Sequence, residues 1–238
     1  MAKANKRTQD KNTNAEAFEN PEILADKVTK VEDYIEKNRK WVFIIGGAIA
    51  VVVIGFFLYQ YYTENQNEVA QREMFQAQFY FESDSLGLAL NGDSRGNYGF
   101  LEIIDDYPMT EAANLSHYYA GVSFLKLGQF DQAIEHLEKF KSDDYVVQAR
   151  AFALVGDAFM EQENYDKAAN YYQRAAKYKP NEHFTPDYLI KEALAHEMSG
   201  DLQSAIESYK TIVDEYPQSR KIQEAKKQLN RLQVLAAK

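Results

Sequence analysis

The sequence lacks cysteine and contains few of the residues that interrupt helices. It has no Cys, 5 Pro and 11 Gly among 238 residues. The absence of Cys excludes disulfide bonds, thiolate metal ligands and a cysteine nucleophile. Hydrophobic residues make up 45% of the chain and charged residues 26%. This composition predicts a helical protein that can bury a core, and the length predicts one principal globular domain.

Basic residues are the scarcer charged type, and the imbalance is uneven along the chain. The chain has 27 Lys and Arg against 36 Asp and Glu, which gives a formal charge of -9. After residue 63 there are 18 basic and 28 acidic residues. A surface of this sign repels phosphate backbones, which argues against nucleic acid as a partner.

Residues 41–63 form an uncharged stretch, WVFIIGGAIAVVVIGFFLYQYYT. Its first 22 residues span about 33 Å as a helix, enough to cross the hydrocarbon of a bilayer. Trp41 stands at one end and Tyr59, Tyr61 and Tyr62 at the other, where aromatic rings favour membrane interfaces. A 40-residue leader precedes the stretch and no small-x-small cleavage site follows it. We therefore interpret it as an uncleaved signal anchor, and not as a cleaved signal peptide or a buried core helix.

Basic residues flank one end of this anchor. Five lie within residues 26–40, whereas Arg72 is the only one within residues 63–77. Because cytoplasmic flanks carry the excess of Lys and Arg, the N-terminus is predicted to stay in the cytoplasm. The rest of the chain would then lie outside it, which in a bacterium with two membranes is the periplasm. The prediction is a single-pass protein of the cell inner (plasma) membrane.

The segment before the anchor divides into two parts. Residues 1–19 are polar and predict a disordered cytoplasmic tail. Residues 20–40 predict a cytoplasmic amphipathic helix with Asn20 as N-cap and Pro21 as its first residue. Its apolar residues recur at helical spacing, at Leu24, Val28, Val31 and Ile35. This helix could lie along the membrane, dock on a partner or simply extend the anchor.

Self-comparison reveals a repeat beyond the anchor. Gly121 and Gly156 are 35 residues apart, and Pro180 and Pro217 are 37 apart. Small and aromatic residues recur at corresponding positions, at Phe124, Ala133, Phe159, Tyr165, Ala168 and Ala205. The pattern resembles the tetratricopeptide repeat, in which a small residue lets two helices approach closely and Pro ends the second helix. These ten residues are expected to be architectural.

The resemblance implies an all-α protein. A single N-terminal transmembrane helix would be followed by a tetratricopeptide-repeat α-solenoid with three clear repeats, one degenerate repeat and a C-terminal capping helix. The extracytoplasmic domain is expected over 84–238, with repeats at about 77–110, 114–147, 149–182 and 186–219 and the cap at 219–236.

A juxtamembrane helix is predicted between the anchor and this domain, over residues 64–83. No Pro occurs between Pro21 and Pro108, so the transmembrane helix is expected to continue to about Phe81. Phe75 and Phe79 lie four residues apart, and we expect them to pack under the first repeat. Residues 84–99 contain four Gly but lack the GK[ST] ending of a phosphate loop. They predict an inter-helix loop.

No motif for catalysis or metal binding is present in the sequence. The four His lack HExxH or paired-ligand spacing; they are His117, His136, His183 and His196. The adjacent acids at 105–106 and 143–144 are expected to be solvated or to cap helices, and not to form a catalytic pair. Asn114 begins an N-x-S sequon, a weak signal on a repeat helix. We expect no enzyme activity, cofactor, metal or small-molecule substrate.

The tetratricopeptide resemblance implies a concave groove lined by the first helix of each repeat. The corresponding positions here are Leu115, Tyr118, Val122, Leu125, Arg150, Ala153, Asp157, Met160, Asp187, Ile190, Leu194 and Glu197. This lining is apolar at the first repeat and acidic further along. Tyr118 and Val122 stand where the carboxylate-clamp version of the fold has Lys and Asn, which disfavours that activity. Extended or unfolded segments with apolar side chains are the expected ligands.

The order of parts resembles the YfgM-like ancillary subunits of the bacterial Sec translocon. The shared features are a short cytoplasmic helix, one uncleaved anchor and an acidic extracytoplasmic repeat domain, covering residues 21–238. This resemblance implies attendance at SecYEG, together with the foldase PpiD or a similar protein, and handover of unfolded client chains to periplasmic chaperones. The alternative is a structural adaptor of an envelope assembly, cell-division or secretion complex.

Overall fold

The computed structural model describes residues 34–236, together with Ala25, Thr29 and Glu32. The predicted tail at 1–19 and most of the predicted helix at 20–40 lie outside these described residues. Residues 34–37 are helical, and every longer regular element in the described part of the chain is an α-helix. The helices are α1 (Arg39–Glu82), α2 (Leu86–Asn91), α3 (Phe100–Asp106), α4 (Glu111–Lys126), α5 (Phe130–Lys139), α6 (Tyr145–Glu161), α7 (Tyr165–Lys177), α8 (Thr185–Ser199), α9 (Leu202–Glu215) and α10 (Ile222–Ala236).

The chain divides into two compact units, residues 1–61 and residues 62–238. In the first unit, the apolar side chains of α1 are exposed, with Val51 and Val52 each 71% accessible. Among the described residues, α1 is the one helix that is long and apolar enough to cross a membrane. Exposed apolar side chains all round a helix are unfavourable in water and suit a lipid environment.

In the second unit, the buried stripe of α1 consists of Ala70, Met74, Ala77 and Tyr80. These residues recur at three- and four-residue spacing and belong to a core cluster that also contains Phe100 and residues of α2 and α4. The prediction that Phe75 and Phe79 pack under the first repeat is wrong, since they are 71% and 54% exposed. They lie beside Met74 and Tyr80 in sequence, and a step of one residue turns a helical side chain to another face.

The segment predicted as a plain loop at 84–99 contains the short helix α2 and a tightly bonded turn. The Asp93 carboxylate accepts hydrogen bonds from the Tyr80 hydroxyl at 2.5 Å, Asn97 Nδ2 at 2.8 Å and Arg95 Nε at 3.0 Å. The bond from Tyr80, followed by that from Asn97, holds the pKa of Asp93 well below its usual range. At Gly99 a Cβ atom would lie 2.3 Å from the Leu90 carbonyl oxygen, so the turn requires glycine there.

Three helical hairpins follow: α4–α5, α6–α7 and α8–α9. Each helix packs on the next along the chain, which makes this region an α-solenoid that α10 continues at the C-terminal end. The first helices of two hairpins begin at side-chain caps, because Thr110 Oγ1 accepts from Ala113 N–H at 3.1 Å and Asp144 Oδ1 accepts from Val146 N–H at 2.8 Å. The prediction of a capping acid at 143–144 is thereby confirmed for Asp144.

A further cap comes from α1. Asn67 Oδ1 accepts a hydrogen bond from the Ala112 N–H at 3.0 Å, although the two residues are 45 positions apart. The first amides of a helix have no partner within it, so this bond satisfies one such amide of α4 from a neighbouring helix.

In the first two hairpins the paired helices meet at a glycine. A Cβ atom at Gly121 would lie 2.5 Å from Leu137 Cγ, and one at Gly156 would lie 2.6 Å from the Tyr172 ring. Side chains cannot approach so closely, so these glycines allow the close packing of the hairpins. Of the other predicted architectural residues, Phe124, Ala133, Phe159, Ala168 and Ala205 are buried, Tyr165 is half-buried, and Pro180 and Pro217 are exposed.

Candidate functional site

The twelve predicted groove residues lie on the first helices of the three hairpins, four on each of α4, α6 and α8. A cleft of about 560 Å³ opens between these helices. Four of the predicted residues line it: Leu125, Asp157, Met160 and Leu194. We call this feature the central cleft. It is also lined by residues that the groove prediction missed, namely Lys126, Gly128, Phe130, Glu161, Tyr172 and Lys191.

A polar network in the central cleft connects α6, α7 and α8. The Asp157 carboxylate accepts hydrogen bonds from the Tyr172 hydroxyl at 2.6 Å and from Lys191 Nζ at 2.6 and 2.9 Å. Lys191 Nζ also lies 5.5 Å from the centre of the Tyr172 ring. Burial and the neighbouring carboxylate of Asp157 raise the pKa of Tyr172. The network neutralises Asp157 and joins two hairpins. Lys191 follows Asp157 by 34 positions, about one repeat. This spacing is the sequence feature from which a contact between the two residues could have been predicted.

The other predicted acids of the groove also have basic partners. Asp187 lies 3.3 Å from Arg220 and 3.6 Å from Lys221. Glu197 forms an ion pair with Arg231 and accepts a hydrogen bond from the Tyr209 hydroxyl at 3.0 Å. These pairs offset the acidic character expected for the second half of the groove. Among the apolar residues predicted for this part of the groove, Leu194 is the most accessible, at 47% exposed.

At the first hairpin, predicted groove residues contribute to the core between repeats. Leu115, Tyr118 and Val122 are half-buried, and the last two pack against the cluster around Leu137 and Val155. The Tyr118 ring lies 5.2 Å from that of Phe140, and burial raises the pKa of its hydroxyl. Ala153 is only 4% exposed, so it offers little surface to a ligand. Ile190 is half-buried and Arg150 is exposed.

Two of the histidines form a pair between α4 and α5. His117 Nδ1 and His136 Nδ1 are 3.0 Å apart, so one ring donates and the other accepts. Desolvation, followed by the charge of His136, lowers the pKa of His117 to about 4, and desolvation also lowers the pKa of His136. In the part of the chain that the structure describes, no group of three or more His, Asp or Glu side chains is arranged to hold a metal ion.

The Asn114 side chain of the sequon is fully engaged. Its Nδ2 donates to the Lys141 carbonyl at 2.7 Å and its Oδ1 accepts from the Lys141 N–H at 2.9 Å. Both halves of the amide therefore connect α4 to the segment that follows α5. The structural role of this side chain accounts for its presence on a repeat helix.

The sequence of the hairpins matches a known family in two overlapping segments. Residues 118–183 and residues 154–220 match the family described as Tetratricopeptide repeat. Residues 118–220 are tetratricopeptide repeats. The tetratricopeptide match covers α5 to α9 and most of α4, and ends before α10. No curated protein matches the sequence.

Tetratricopeptide repeats are a protein-interaction fold without a catalytic apparatus of their own. Each repeat contacts its neighbours, and the first helices together present a surface for a polypeptide. Here the first helices surround the central cleft, in which the exposed Leu194 and the half-buried Met160 lie beside the Asp157 network. Residues 118–220 thus form a protein-interaction scaffold.

Proposed function

We propose that the protein is an ancillary subunit of the SecYEG translocon, anchored in the cell inner membrane, which assists secreted or membrane proteins and hands them to periplasmic chaperones. The foldase PpiD or a similar protein would be a fixed partner, and unfolded chains would be clients. The observation that carries the proposal is the combination of an apolar membrane-length helix with a tetratricopeptide cleft that exposes apolar side chains.

The anchor supports a position at the membrane. A helix as apolar as the first part of α1 is stable across a bilayer, and the basic residues before it favour a cytoplasmic N-terminus. Protease added to spheroplasts is expected to digest the chain beyond residue 63 and to leave a fragment of tail and anchor. Full protection of the repeats would contradict this orientation.

The central cleft supports the binding of unfolded chains. Leu194 and Met160 offer apolar contact, while Asp157, Tyr172 and Lys191 can bond to the backbone amides of an extended segment. Such a surface accepts many sequences because its contacts do not depend on one charged motif.

An anchor exchange tests the contact with the translocon. Replacement of residues 41–63 by an unrelated transmembrane helix is expected to abolish co-purification with SecYEG, while the repeats remain folded. If SecYEG is recovered with neither the natural nor the exchanged protein, the translocon proposal fails. The protein is then better explained as a structural adaptor of another envelope complex.

A charge in the cleft tests the contact with clients. Leu194→Asp is expected to reduce crosslinking to unfolded chains several-fold, because the charge is desolvated without a partner when a client binds. Leu88→Asp is the matched control, since Leu88 is similarly exposed at 43% but lies on α2, outside the cleft. Equal crosslinking of the two variants would show that clients do not use the central cleft.

A further inference from the structure

A second cleft, of about 520 Å³, lies between α7, α8 and α9. We call it the Glu192 cleft. It shares no residue with the predicted groove or the central cleft. Most of its lining residues are of polar type; the lining consists of Gln173, Ala176, Lys177, Pro180, Thr185, Leu189, Glu192, His196, Ser204, Glu207, Ser208, Thr211, Glu215 and Tyr216.

The carboxyl group of Glu192 is buried and only partly satisfied. The residue is 4% exposed. Its Oε1 accepts a hydrogen bond from Gln173 Nε2 at 3.1 Å, and the nearest basic group, His196 Nε2, is 4.0 Å from Oε1. Its Oε2 has no hydrogen-bond partner. Burial raises the pKa of Glu192. A buried carboxyl oxygen without a partner destabilises a protein, so a structural role alone does not explain this residue.

The other lining groups supply acceptors and negative charge. The Ser208 hydroxyl donates to the Ser204 carbonyl at 3.1 Å and the Thr211 hydroxyl donates to the Glu207 carbonyl at 2.9 Å. Their protons are thus used, and their oxygen atoms keep the capacity to accept.

The charged and titratable groups of the cleft come from every element around it. Lys177 is on α7, His196 shares α8 with Glu192, and Glu207 and Glu215 are on α9, with Tyr216 directly after that helix. Three carboxyl groups therefore face one ammonium group and one imidazole, and the complementary ligand is cationic and rich in N–H donors.

We propose that the Glu192 cleft binds an organic cation with N–H donors, a primary ammonium or a guanidinium, which satisfies Glu192 Oε2. The ligand is either the side chain of a lysine or arginine on a bound polypeptide or a free amine of the same chemistry. Oε2 is shielded from solvent, so the ligand reaches it only when side chains of the cleft move. Lys177 and Glu207 line the same cleft and are exposed, which leaves them free to move aside. Because the ligand pairs with the ionised carboxylate, binding strengthens as pH rises.

Calorimetry on the full chain in lipid nanodiscs tests this site. The probes are agmatine, spermidine and a peptide with one arginine flanked by glycines, each at about pH 8 and about pH 5.5, because burial raises the pKa of Glu192 and its ionised fraction is larger at the higher pH. We expect saturable binding that is stronger at the higher pH. Glu192→Gln, which keeps the shape of the side chain, is expected to weaken binding at least about tenfold. Glu163→Gln, at an exposed carboxylate outside the cleft, is expected to leave it unchanged.

The arms of the experiment distinguish the sources of the cation. Tighter binding of the peptide than of both free amines indicates a polypeptide ligand, and the reverse order indicates a small amine. Failure of every probe to saturate at about 10 mM, the weak limit of specific affinity, overturns the proposal, as does equal binding by Glu192→Gln.

A second measurement covers the case in which Glu192→Gln does not fold. The Cδ resonance of Glu192 in the unaltered protein, followed by carbon NMR, is expected to titrate at a lower pH when agmatine is present, because a bound cation favours the carboxylate. An unchanged titration overturns the proposal. Neither result depends on SecYEG or on client binding, so the proposed function is tested separately.

Discussion

The N-terminal part of the domain, residues 62–106, and the second repeat, residues 145–177, pack their helices by different means. In the second repeat, Gly156 lets α6 and α7 approach until the Tyr172 ring covers the glycine. In the N-terminal part, large side chains fill the space, and the fully buried Phe100 ring is stacked 5.2 Å from that of Tyr119 on α4. The comparison shows that helices in one stack can pack in two ways. Their backbones can approach closely at a glycine, or aromatic rings can fill a wider space between them.

These two kinds of helix packing differ in how well they can be predicted from the sequence. Close approach requires a small residue and a large one at fixed spacing in every repeat, which creates a recognisable pattern. Aromatic filling accepts many arrangements of equal volume. The family match accordingly begins at residue 118 and leaves out residues 62–106.

The largest expected effect comes from removing an aromatic side chain from the N-terminal part. Phe100→Ala should lower the free energy of unfolding by about 3 to 5 kcal/mol, since the ring is fully buried and its loss leaves a cavity. Urea unfolding of the purified chain in detergent, followed by circular dichroism, measures the change. Phe75→Ala is the control, since Phe75 is 71% exposed, and its effect should stay within about 0.5 kcal/mol. If Phe75→Ala lowers the free energy of unfolding as much as Phe100→Ala does, Phe75 is buried and the buried face of α1 is assigned wrongly.

The next effect concerns close approach in the second repeat. Gly156→Ala should destabilise the protein by about 1 to 3 kcal/mol, because its Cβ atom would lie 2.6 Å from the Tyr172 ring and force a shift. The same change at Gly87, which has open space around it on α2, should stabilise by about 0.5 to 1 kcal/mol through helix propensity. The two variants are compared by thermal melting. A neutral Gly156→Ala would show that glycine is not needed at this crossing.

A smaller effect concerns acid stability, in which the first repeat is expected to differ from the second. The positions of His117 and His136 are occupied 35 residues later by Phe152 and Tyr171. Desolvation holds the pKa of His117 at about 4, below the ordinary value of 6.5, so the unfolded state binds more protons on acidification. The stability due to neutral histidines is therefore fully present above about pH 6.5 and is lost as the pH falls towards 4.

The double variant His117→Phe with His136→Tyr introduces the residues of the second repeat. On acidification the natural chain should lose unfolding free energy on the order of 1 kcal/mol through this pair, and the double variant should not. The loss is small because both rings are partly exposed to solvent. The urea midpoint measured across this pH range provides the check, and the nearby charges of Glu135, Lys139 and Asp105 are unaltered. If the variant loses as much stability on acidification as the natural chain, the pair is not responsible.

The smallest effect lies in the turns between paired helices. Gly128, Glu163 and Gly200 occupy these turns with positive φ values of 73°, 58° and 87°. Glu163→Gly should stabilise the second repeat by about 0.5 kcal/mol, because glycine adopts this conformation without steric cost. Gly128→Ala should destabilise the first repeat by about 1 kcal/mol for the same reason. Changes of the same sign in thermal melting would contradict this account.

Sequence reasoning succeeded where the structure depends on local spacing. The glycines of the repeats, the Asp144 cap and the uncharged stretch within α1 are all visible in short windows of sequence. It failed where contacts join distant residues, as for Lys191 with Asp157 and for Tyr80 with Asp93. It also failed for Phe75 and Phe79, because the pattern predicts an apolar stripe but one residue decides which face is buried.

The hydrogen bond from Ala112 to Asn67 determines where the chain can be cut. A soluble version that begins near residue 62 keeps this bond and the buried Ala70, whereas one that begins at the predicted domain start, residue 84, loses both along with the whole of α1. The Ala112 amide of α4 would then lose its cap, and the Phe100 cluster would lose the residues that α1 contributes. The shorter version should expose apolar surface and aggregate, so preparations intended for crystals or binding assays should retain α1 from residue 62 onward.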